Sequence, residues 1–237
     1  RLFLLFQPIV DLQANQICGF EALARLDSNK LGLIPPLEFI PIAEKTKLII
    51  PLGKKIILQA FNFLNKLKEN GYDSVGVSIN ISAIQLLRDD FTQYLLEMIN
   101  ERRVDPANIG LEVTESVFAS NYQEINSILG ELKSLGIKIA IDDFGTGYSS
   151  LARERELNLN CLKIDKYFID KLLLLKDEEA ITSDIIAMAH RLGHYVIAEG
   201  VEYERQRQYL LKCGCDRIQG YLISKPLTEA AALDLLR

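Results

Sequence analysis

Polar side chains, most of them carboxylates, recur where short apolar runs end. Asp142 and Asp143 follow Ile139–Ile141, and Glu199 follows Val196–Ala198. The residues at such ends are Asn80, Glu112, Glu115, Asp142, Asp143, Lys163, Asp165, Glu199, Glu202 and Gln219, and Gln7 and Glu21 lie within the first two strands. A single carboxylate after a strand is usually a helix cap or a rim charge. Repetition at strand after strand indicates chemistry instead, because barrel enzymes place their active sites at the carboxyl ends of the strands.

Convergence of these carboxylates would create an electrostatic problem. The five in question are Glu21, Glu112, Asp142, Asp143 and Glu199, and the obvious cationic partners are Lys163 and Arg25. Five carboxylates cannot all stay ionised in one cavity unless cations compensate them. Two divalent ions would bring the local charge to about +1, which suits a phosphate. Oxygen ligands without His or Cys favour Mg²⁺ or Mn²⁺ over zinc, and the adjacent Asp142–Asp143 pair can bridge two ions.

The elements that must position these residues alternate between strand and helix. Eight runs are strand-like, namely Phe3–Val10, Ile17–Leu26, Val75–Ser82, Ile109–Val113, Ile137–Ile141, Cys161–Ile164, Tyr195–Ala198 and Arg217–Ile223. Between them lie helical patterns, among them Ile56–Lys68, Ile125–Leu135 and Thr182–Leu192. This alternation predicts an α/β fold, a (β/α)8 TIM-like barrel formed by residues 1–237 as a single domain. The Asp11–Gln16 turn is too short for a crossover helix, so the first strand should be antiparallel.

Composition narrows the possible partners. The formal net charge of -5 disfavours a basic groove for a nucleic-acid polymer and contact with an anionic membrane. The cysteines are Cys18, Cys161, Cys213 and Cys215, and without Cys-x-x-Cys spacing they disfavour a structural zinc site. Reduced thiols and the lack of a long uncharged apolar run favour a cytoplasmic location, which includes a domain of a membrane-tethered parent protein.

These residues carry a resemblance to a known family. Gly19-Phe-Glu-Ala-Leu-Ala-Arg25 resembles the signature of the EAL family of cyclic di-GMP phosphodiesterases. Further motifs similar to that family follow in its order across nearly the whole chain, namely Phe6–Asp11, Pro36–Pro41, Asn80–Ser82, Glu112–Ser116, Asp142–Ser150, Leu162–Asp165, Ala198–Glu202, Gln219–Tyr221 and Ser224–Pro226. Three letters alone would mean little, whereas ordered motifs along the whole chain make a chance match negligible.

The resemblance implies a role for each site residue. One metal would be held by Glu21, Asn80, Glu112 and Asp142, and the second by Asp142, Asp143 and Glu199. Lys163 would orient the attacking water, Asp165 would position Lys163, and Glu115 would hydrogen-bond the Asp142–Ser150 loop; with Glu199 these form the catalytic group. Substrate contacts would come from Gln7, Arg25, Gln219, Pro36, Tyr221 and Pro226. For Tyr221 and Pro226 a role in the core is an equal alternative.

Three functions are compatible with the sequence. The leading hypothesis is metal-dependent hydrolysis of cyclic di-GMP to linear pGpG by activated water. The alternative is a cyclic di-GMP receptor without turnover, although this chain lacks none of the expected metal ligands. A metal-dependent lyase or an enolase-like barrel would also combine carboxylates with a lysine, but would explain neither Asn80 nor the shared motifs.

The resemblance also implies partners. It predicts a homodimer, together with upstream sensory or regulatory domains in a longer parent protein. The chain departs from the family pattern after Ser150, where Arg153-Glu-Arg-Glu156 places four charges. This segment is interpreted either as a solvated helix start or as part of a two-fold interface in which opposite charges pair twice.

Overall fold

The computed structural model describes residues 1–145, 156–176 and 179–237. In these ranges one sheet contains nine strands: β1 Leu2–Asp11, β2 Gln16–Ser28, β3 Gly32–Ile34, β4 Gly76–Asn80, β5 Ile109–Thr114, β6 Lys138–Phe144, β7 Cys161–Ile164, β8 Tyr195–Ala198 and β9 Arg217–Gln219. All eight predicted strands are present. The last is shorter than predicted, because the chain turns after Gln219, and the three-residue β3 was not predicted.

The sheet closes on itself. Its order is β1-β9-β8-β7-β6-β5-β4-β2-β3, and β1 also pairs with β2, so eight strands form a barrel and β3 extends β2 outside it. β1 is antiparallel to both β2 and β9, whereas the pairs from β2–β4 to β8–β9 are parallel. The predicted (β/α)8-type barrel with an antiparallel first strand is therefore confirmed.

Helices cover the outside of the barrel. Within the described ranges they are α1 Pro36–Lys45, α2 Ile49–Glu69, α3 Ala83–Leu86, α4 Phe91–Arg102, α5 Phe118–Ser134, α6 Lys166–Lys171, α7 Thr182–Arg191, α8 Glu204–Lys212 and α9 Glu229–Asp234. The predicted Ile56–Lys68 helix begins earlier, at Ile49, because Pro51 lies in the first turn, where the missing N–H is tolerated. None of the helices in the described part of the chain is long and apolar enough to cross a membrane.

The buried hydrophobic residues form two separate cores. The larger one lies between the barrel and the helices and includes the fully buried Phe20, Phe61 and Phe63. The smaller one consists of Ile9, Ala140, Cys161 and Ile197, with Cys18 and Tyr195 packed against it. The interior is narrow: a Cβ at Gly110 would lie 2.4 Å from Ser78 Oγ, so only glycine fits there.

The charged segment after Ser150 lies largely outside the described residues. The interface predicted for Arg153–Glu156 falls there except for Glu156, whose backbone carbonyl accepts a hydrogen bond from Asn126 Nδ2 at 2.8 Å. Likewise, the Asp142–Ser150 loop is described only as far as Gly145.

Candidate active site

A polar layer lies above the small core at the carboxyl end of the barrel. Lys163 follows Cys161 by two residues, and Cys161 is a member of that core. Because side chains alternate along a strand, a residue two positions beyond an interior one also faces inward. The same offset separates Ala140 from Asp142 and Ile197 from Glu199.

Lys163 is the centre of this layer. Its side chain is fully buried, and its Nζ lies 2.5 Å from Glu112 Oε2 and 2.5 Å from Glu199 Oε1. Glu21 Oε2 and Asp142 Oδ1 lie at 3.4 Å. The four carboxylates come from β2, β5, β6 and the residue after β8, so the barrel converges them on one ammonium. If all four carboxylates were ionised, the cluster would carry an excess of negative charge over the one ammonium.

Amide side chains hold Glu21 from the other side. Asn80 Nδ2 donates to Glu21 Oε1 at 2.7 Å, and Gln219 Nε2 donates to Glu21 Oε2 at 2.7 Å. Gln219 Nε2 also donates to Gln7 Oε1 at 3.1 Å, and Gln7 Nε2 donates to the carbonyl of Ser224 at 3.3 Å. The antiparallel β1 thus brings Gln7 into the same layer as Glu21, its partner in the β1–β2 register.

Three carboxylates form the part of the site best suited to a cation. Asp142, Asp143 and Glu199 each offer an oxygen within 4.8 Å of the others. Asp143 has φ 56°, a left-handed conformation that few residues other than glycine adopt, and its N–H donates to Asp142 Oδ1 at 3.1 Å. This turn places two consecutive carboxylates beside Glu199. Glu115 lies nearby and accepts a hydrogen bond from the Gly145 N–H at 3.3 Å.

One carboxylate oxygen of the cluster has no hydrogen-bond partner among the described residues. Glu112 is 1% exposed, and among the described residues nothing donates a hydrogen bond to its buried Oε1. Gln219 Oε1 is likewise buried and receives no hydrogen bond from the described residues. A buried hydrogen-bond acceptor that receives no hydrogen bond is unfavourable. Carboxylate and amide oxygens are also the ligands that Mg²⁺ and Mn²⁺ prefer. The donor set therefore fits divalent cations.

The carboxylates of the cluster differ in the direction in which their pKa values are shifted. Burial raises the pKa of Glu112 well above its usual value, and burial raises that of Glu199 to about 8, despite the opposing effect of Lys163. Burial would also raise the pKa of Glu21, but Lys163 and the amides of Gln219 and Asn80 lower it. Although burial favours neutral Lys163, the surrounding carboxylates raise its pKa, so the amine stays protonated.

A cleft of about 640 Å³ opens beside this cluster. Its wall includes Arg25, Pro36, Asn80, Glu112 and Asp142, together with apolar side chains of β2, α1 and α3. Arg25 donates to the carbonyl of Ala24 at 2.9 Å, and burial lowers the pKa of its guanidinium. The cleft therefore joins an apolar wall, a cation and the carboxylate cluster.

The predicted site residues that lie away from the contacts around Lys163 include Asp165, Tyr221 and Pro226. Asp165 Oδ1 accepts from the N–H of Tyr167 at 2.9 Å and so caps α6. Tyr221 is exposed, with Lys225 Nζ 5.6 Å from its ring centre. Pro226 is half-buried and precedes Leu227, which exchanges backbone hydrogen bonds with Phe6.

A further contact at the cleft was missed from the sequence. Ser82 caps α3 in a capping box with Gln85, and Ser82 Oγ donates to Glu44 Oε1 at 2.5 Å. Both Glu44 and Ser82 line the cleft, so this bond ties α1 to the loop after Asn80. The Ser-x-x-Gln spacing signals the cap, but no local pattern identifies Glu44 as its partner.

The protein belongs to the class of (β/α)8 barrels with a carboxylate cluster at the carboxyl end of the strands, and comparison with known proteins assigns the family. The EAL domain model matches residues 1–226, so the chain belongs to the EAL domain family. The chain is 42% identical to the signaling protein YkoW of Bacillus subtilis over 96% of its length, and 36% identical to the bifunctional diguanylate cyclase/cyclic di-GMP phosphodiesterase MucR of Pseudomonas aeruginosa over 96%.

The chain spans 28% of YkoW and 33% of MucR, about a third of either relative. A solved structure described as "PaMucR Phosphodiesterase, c-di-GMP complex" superposes with a TM-score of 0.92 at 35% identity. That match covers 98% of this chain and 94% of the other.

The raised pKa of Glu199 predicts how stability depends on pH without divalent ions. Between its usual value of 4.5 and about 8, the folded chain retains a proton that the unfolded chain has lost. Rising pH therefore destabilises the fold, by at most about 1.4 kcal/mol per pH unit for this group, or roughly 2–4 °C in Tm per kcal/mol. Thermal unfolding in EDTA across this window should show Tm falling. Saturating Mg²⁺ should flatten the decline, because the ions replace the proton as compensating charge.

The matched control for this pH dependence is Glu199→Gln, which cannot ionise and should make the decline in EDTA shallower. A Tm in EDTA that rises across the window, or a slope that Glu199→Gln leaves unchanged, would contradict the assignment of the shift to Glu199.

Proposed function

We propose that the chain hydrolyses cyclic di-GMP to linear pGpG using two divalent ions, Mg²⁺ or Mn²⁺. The observation that carries this proposal is the convergence of Glu21, Glu112, Asp142 and Glu199 on buried Lys163 beside an open cleft. Membership of the EAL domain family and the cyclic di-GMP phosphodiesterase name of the relative MucR support the choice of reaction and substrate.

The assignment of ligands follows the donor set. Glu21, Asn80, Glu112 and Asp142 would hold one ion, and Asp142, Asp143 and Glu199 would hold the other. The unpartnered Oε1 of Glu112 and the close oxygens of the second group support this division. When bound, such ions lower the pKa of water and neutralise phosphate charge.

Lys163 acts as an ammonium in this proposal. Without bound ions, the surrounding carboxylates raise the pKa of Lys163, so the side chain is held as an ammonium. It can donate hydrogen bonds, and once its carboxylate neighbours bind cations, its N–H groups become available to a water or a phosphate oxygen. We therefore assign Lys163 the role of orienting the nucleophile. Glu199, whose Oε1 contacts the Lys163 Nζ, holds Lys163 in place. Asp165 and Glu115 would support this group from α6 and the Gly145 turn.

The cleft provides the complementary surface for the dinucleotide. Its volume of about 640 Å³ lies within the usual range of ligand pockets, and its wall combines apolar side chains with Arg25. Arg25 and Gln7 would contact the phosphate and sugar edge, and Gln219 would help to order water. Pro36, Tyr221 and Pro226 would present apolar surface to the bases. Attack of water on phosphorus, with cleavage of one P–O3′ bond, then yields pGpG.

A turnover assay tests the function directly. The chain is incubated with cyclic di-GMP and Mg²⁺, Mn²⁺ or Ca²⁺, and the products are separated by chromatography. We expect pGpG with Mg²⁺ or Mn²⁺. Ca²⁺ should bind but support little turnover, because it takes more ligands at longer distances.

Each alternative outcome of the assay has a distinct meaning. Nucleotide binding without pGpG would favour the receptor, and neither binding nor product would favour a different barrel enzyme. Turnover with Ca²⁺ comparable to that with Mg²⁺ would contradict the two-ion arrangement.

Two substitutions separate the assigned roles. Glu21→Ala should lose metal and abolish turnover, because it removes a ligand and the acceptor of two amide hydrogen bonds. Lys163→Ala should retain nucleotide binding but lower kcat by roughly 10²-fold, because a group that orients the attacking water acts mainly in the transition state. Calorimetry and steady-state kinetics measure both. Lost binding with retained kcat for Lys163→Ala would reverse the assignment.

We also propose that the chain forms a homodimer and works as one domain of a longer protein with sensory or regulatory domains. The family resemblance and the alternating charges of residues 153–156 support the dimer. Exposed ion pairs contribute about 0–1 kcal/mol each and are screened by salt, so the dimer should weaken as NaCl rises from about 50 mM to 1 M. Sedimentation velocity measures this, and a monomer at low salt would refute the dimer. A dimer indifferent to salt would instead refute the paired-charge interface.

A further inference from the structure

The turn that follows β8 carries Glu199 and is held by several backbone contacts. The Glu199 N–H donates to the carbonyl of Ile164 at 3.0 Å, and the Val201 N–H donates to the carbonyl of Gln219 at 3.1 Å. Between them, Gly200 has φ 66°. Neighbouring strands therefore fix the path of the backbone on both sides of this glycine.

Lys166 packs directly against this turn. A Cβ at Gly200 would lie 2.4 Å from Lys166 Cγ, so the aliphatic stem of the lysine covers the space where a side chain would be. The Lys166 Nζ lies 3.0 Å from Glu202 Oε1, in the same turn, and 2.7 Å from Asp170 Oδ1 on its own helix. One side chain thus joins the Glu199 turn to α6, the helix that begins directly after Lys163 and Asp165.

Gln206 also connects the Glu199 turn to α6. Its side chain is fully buried, and its Oε1 accepts from the N–H groups of Glu202 at 2.8 Å and Tyr203 at 3.0 Å. Its Nε2 donates to the carbonyl of Ile169 on α6 at 3.0 Å. The turn and α6 therefore form a connected unit, with Lys166 on its outer side and Gln206 on its inner side.

We propose that Lys166 is a positioning residue for Glu199, and through it for the metal site. This inference rests on the proposed function, because it gives Glu199 a metal to bind. Glu199 is crowded by Asp142 and Glu21, whose charges disfavour an additional carboxylate, so its backbone must be held firmly. The stem of Lys166 blocks movement of the turn at Gly200, and its ammonium anchors the turn at Glu202.

If Lys166 acted on the metal site only through its charge, its removal would change metal affinity in the opposite direction from a positioning role. Lys166 is a cation near a cation site, so its removal should strengthen binding of a divalent ion if charge alone mattered. Positioning predicts weaker binding, because the ligand Glu199 loses its support. The sign of the change in metal affinity therefore distinguishes the two explanations. The Lys166 side chain is 45% exposed, so its ion pairs contribute little to folding and the variants should remain folded.

The experiment is a titration with Mn²⁺ alone, followed by electron paramagnetic resonance, on the parent chain and three variants. Lys166→Ala should weaken Mn²⁺ binding by roughly tenfold, the lower end of the range for residues that support metal ligands. Lys166→Arg keeps a long stem and a charge and should restore most of the affinity. The matched control is Lys171→Ala, which removes the same charge from the same helix, where Lys171 Nζ lies 5.1 Å from the ring centre of Tyr167. It should bind Mn²⁺ as the parent does, and circular dichroism confirms that all variants are folded.

Kinetics supply a second readout. Lys166→Ala should need roughly tenfold more Mn²⁺ for half-maximal turnover, with an unchanged KM for cyclic di-GMP at saturating metal. Equal or tighter Mn²⁺ binding by Lys166→Ala overturns the positioning role, as does equal weakening by Lys171→Ala or failure of the parent to bind Mn²⁺. If the parent binds Mn²⁺ but makes no pGpG, the proposed function fails while the Mn²⁺ titration still decides the role of Lys166.

Discussion

The constraint on which the site depends is one buried ammonium that faces four carboxylates. Lys163 is fully buried, and burial of an unpaired charge is strongly unfavourable. Its contacts with Glu112 and Glu199 make burial of the lysine tolerable, yet the same contacts leave an excess of negative charge in the barrel. Protons or cations must compensate that excess, and burial raises the pKa values of Glu112 and Glu199, which favours protonation of these two groups without metal. Metal binding would release them, which links the site to pH.

The carboxylates differ in how strongly their surroundings favour the ionised form that binds a cation. Glu21 receives hydrogen bonds from Asn80 and Gln219 that favour its ionised form, so this ligand is already charged and oriented. Glu112 has one oxygen without a hydrogen-bond donor among the described residues, and burial together with the neighbouring charge of Asp142 raises the pKa of Glu199. The site therefore combines a fixed anion with others whose charge depends on what is bound. Such a division suits a centre that must bind cations firmly and still accept an anionic substrate.

The barrel supplies this arrangement through alternation and a narrow interior. The lower layer holds Ile9, Ala140, Cys161 and Ile197, with Gly110 packed closely against Ser78, and the long polar side chains occupy the layer above. The antiparallel β1 closes the ring and brings Gln7 between Glu21 and Gln219. Outside the strands, the contacts of Lys166 with the Glu199 turn and of Ser82 with Glu44 connect loops that the sheet alone does not hold.

The sequence by itself determined the eight barrel strands, the antiparallel first strand and the family, because alternation, turn length and motifs are local. It also identified which polar residues end the strands, since that depends only on strand position. Only the tertiary structure decided the distances around Lys163, the unpartnered oxygen of Glu112 and the different pKa values of Glu21 and Glu199. Each depends on side chains more than twenty residues apart. The partnership of Lys166 with Glu202 was beyond sequence reasoning for the same reason: a half-exposed lysine after a strand looks like any solvated charge until the fold brings its partner within 3.0 Å.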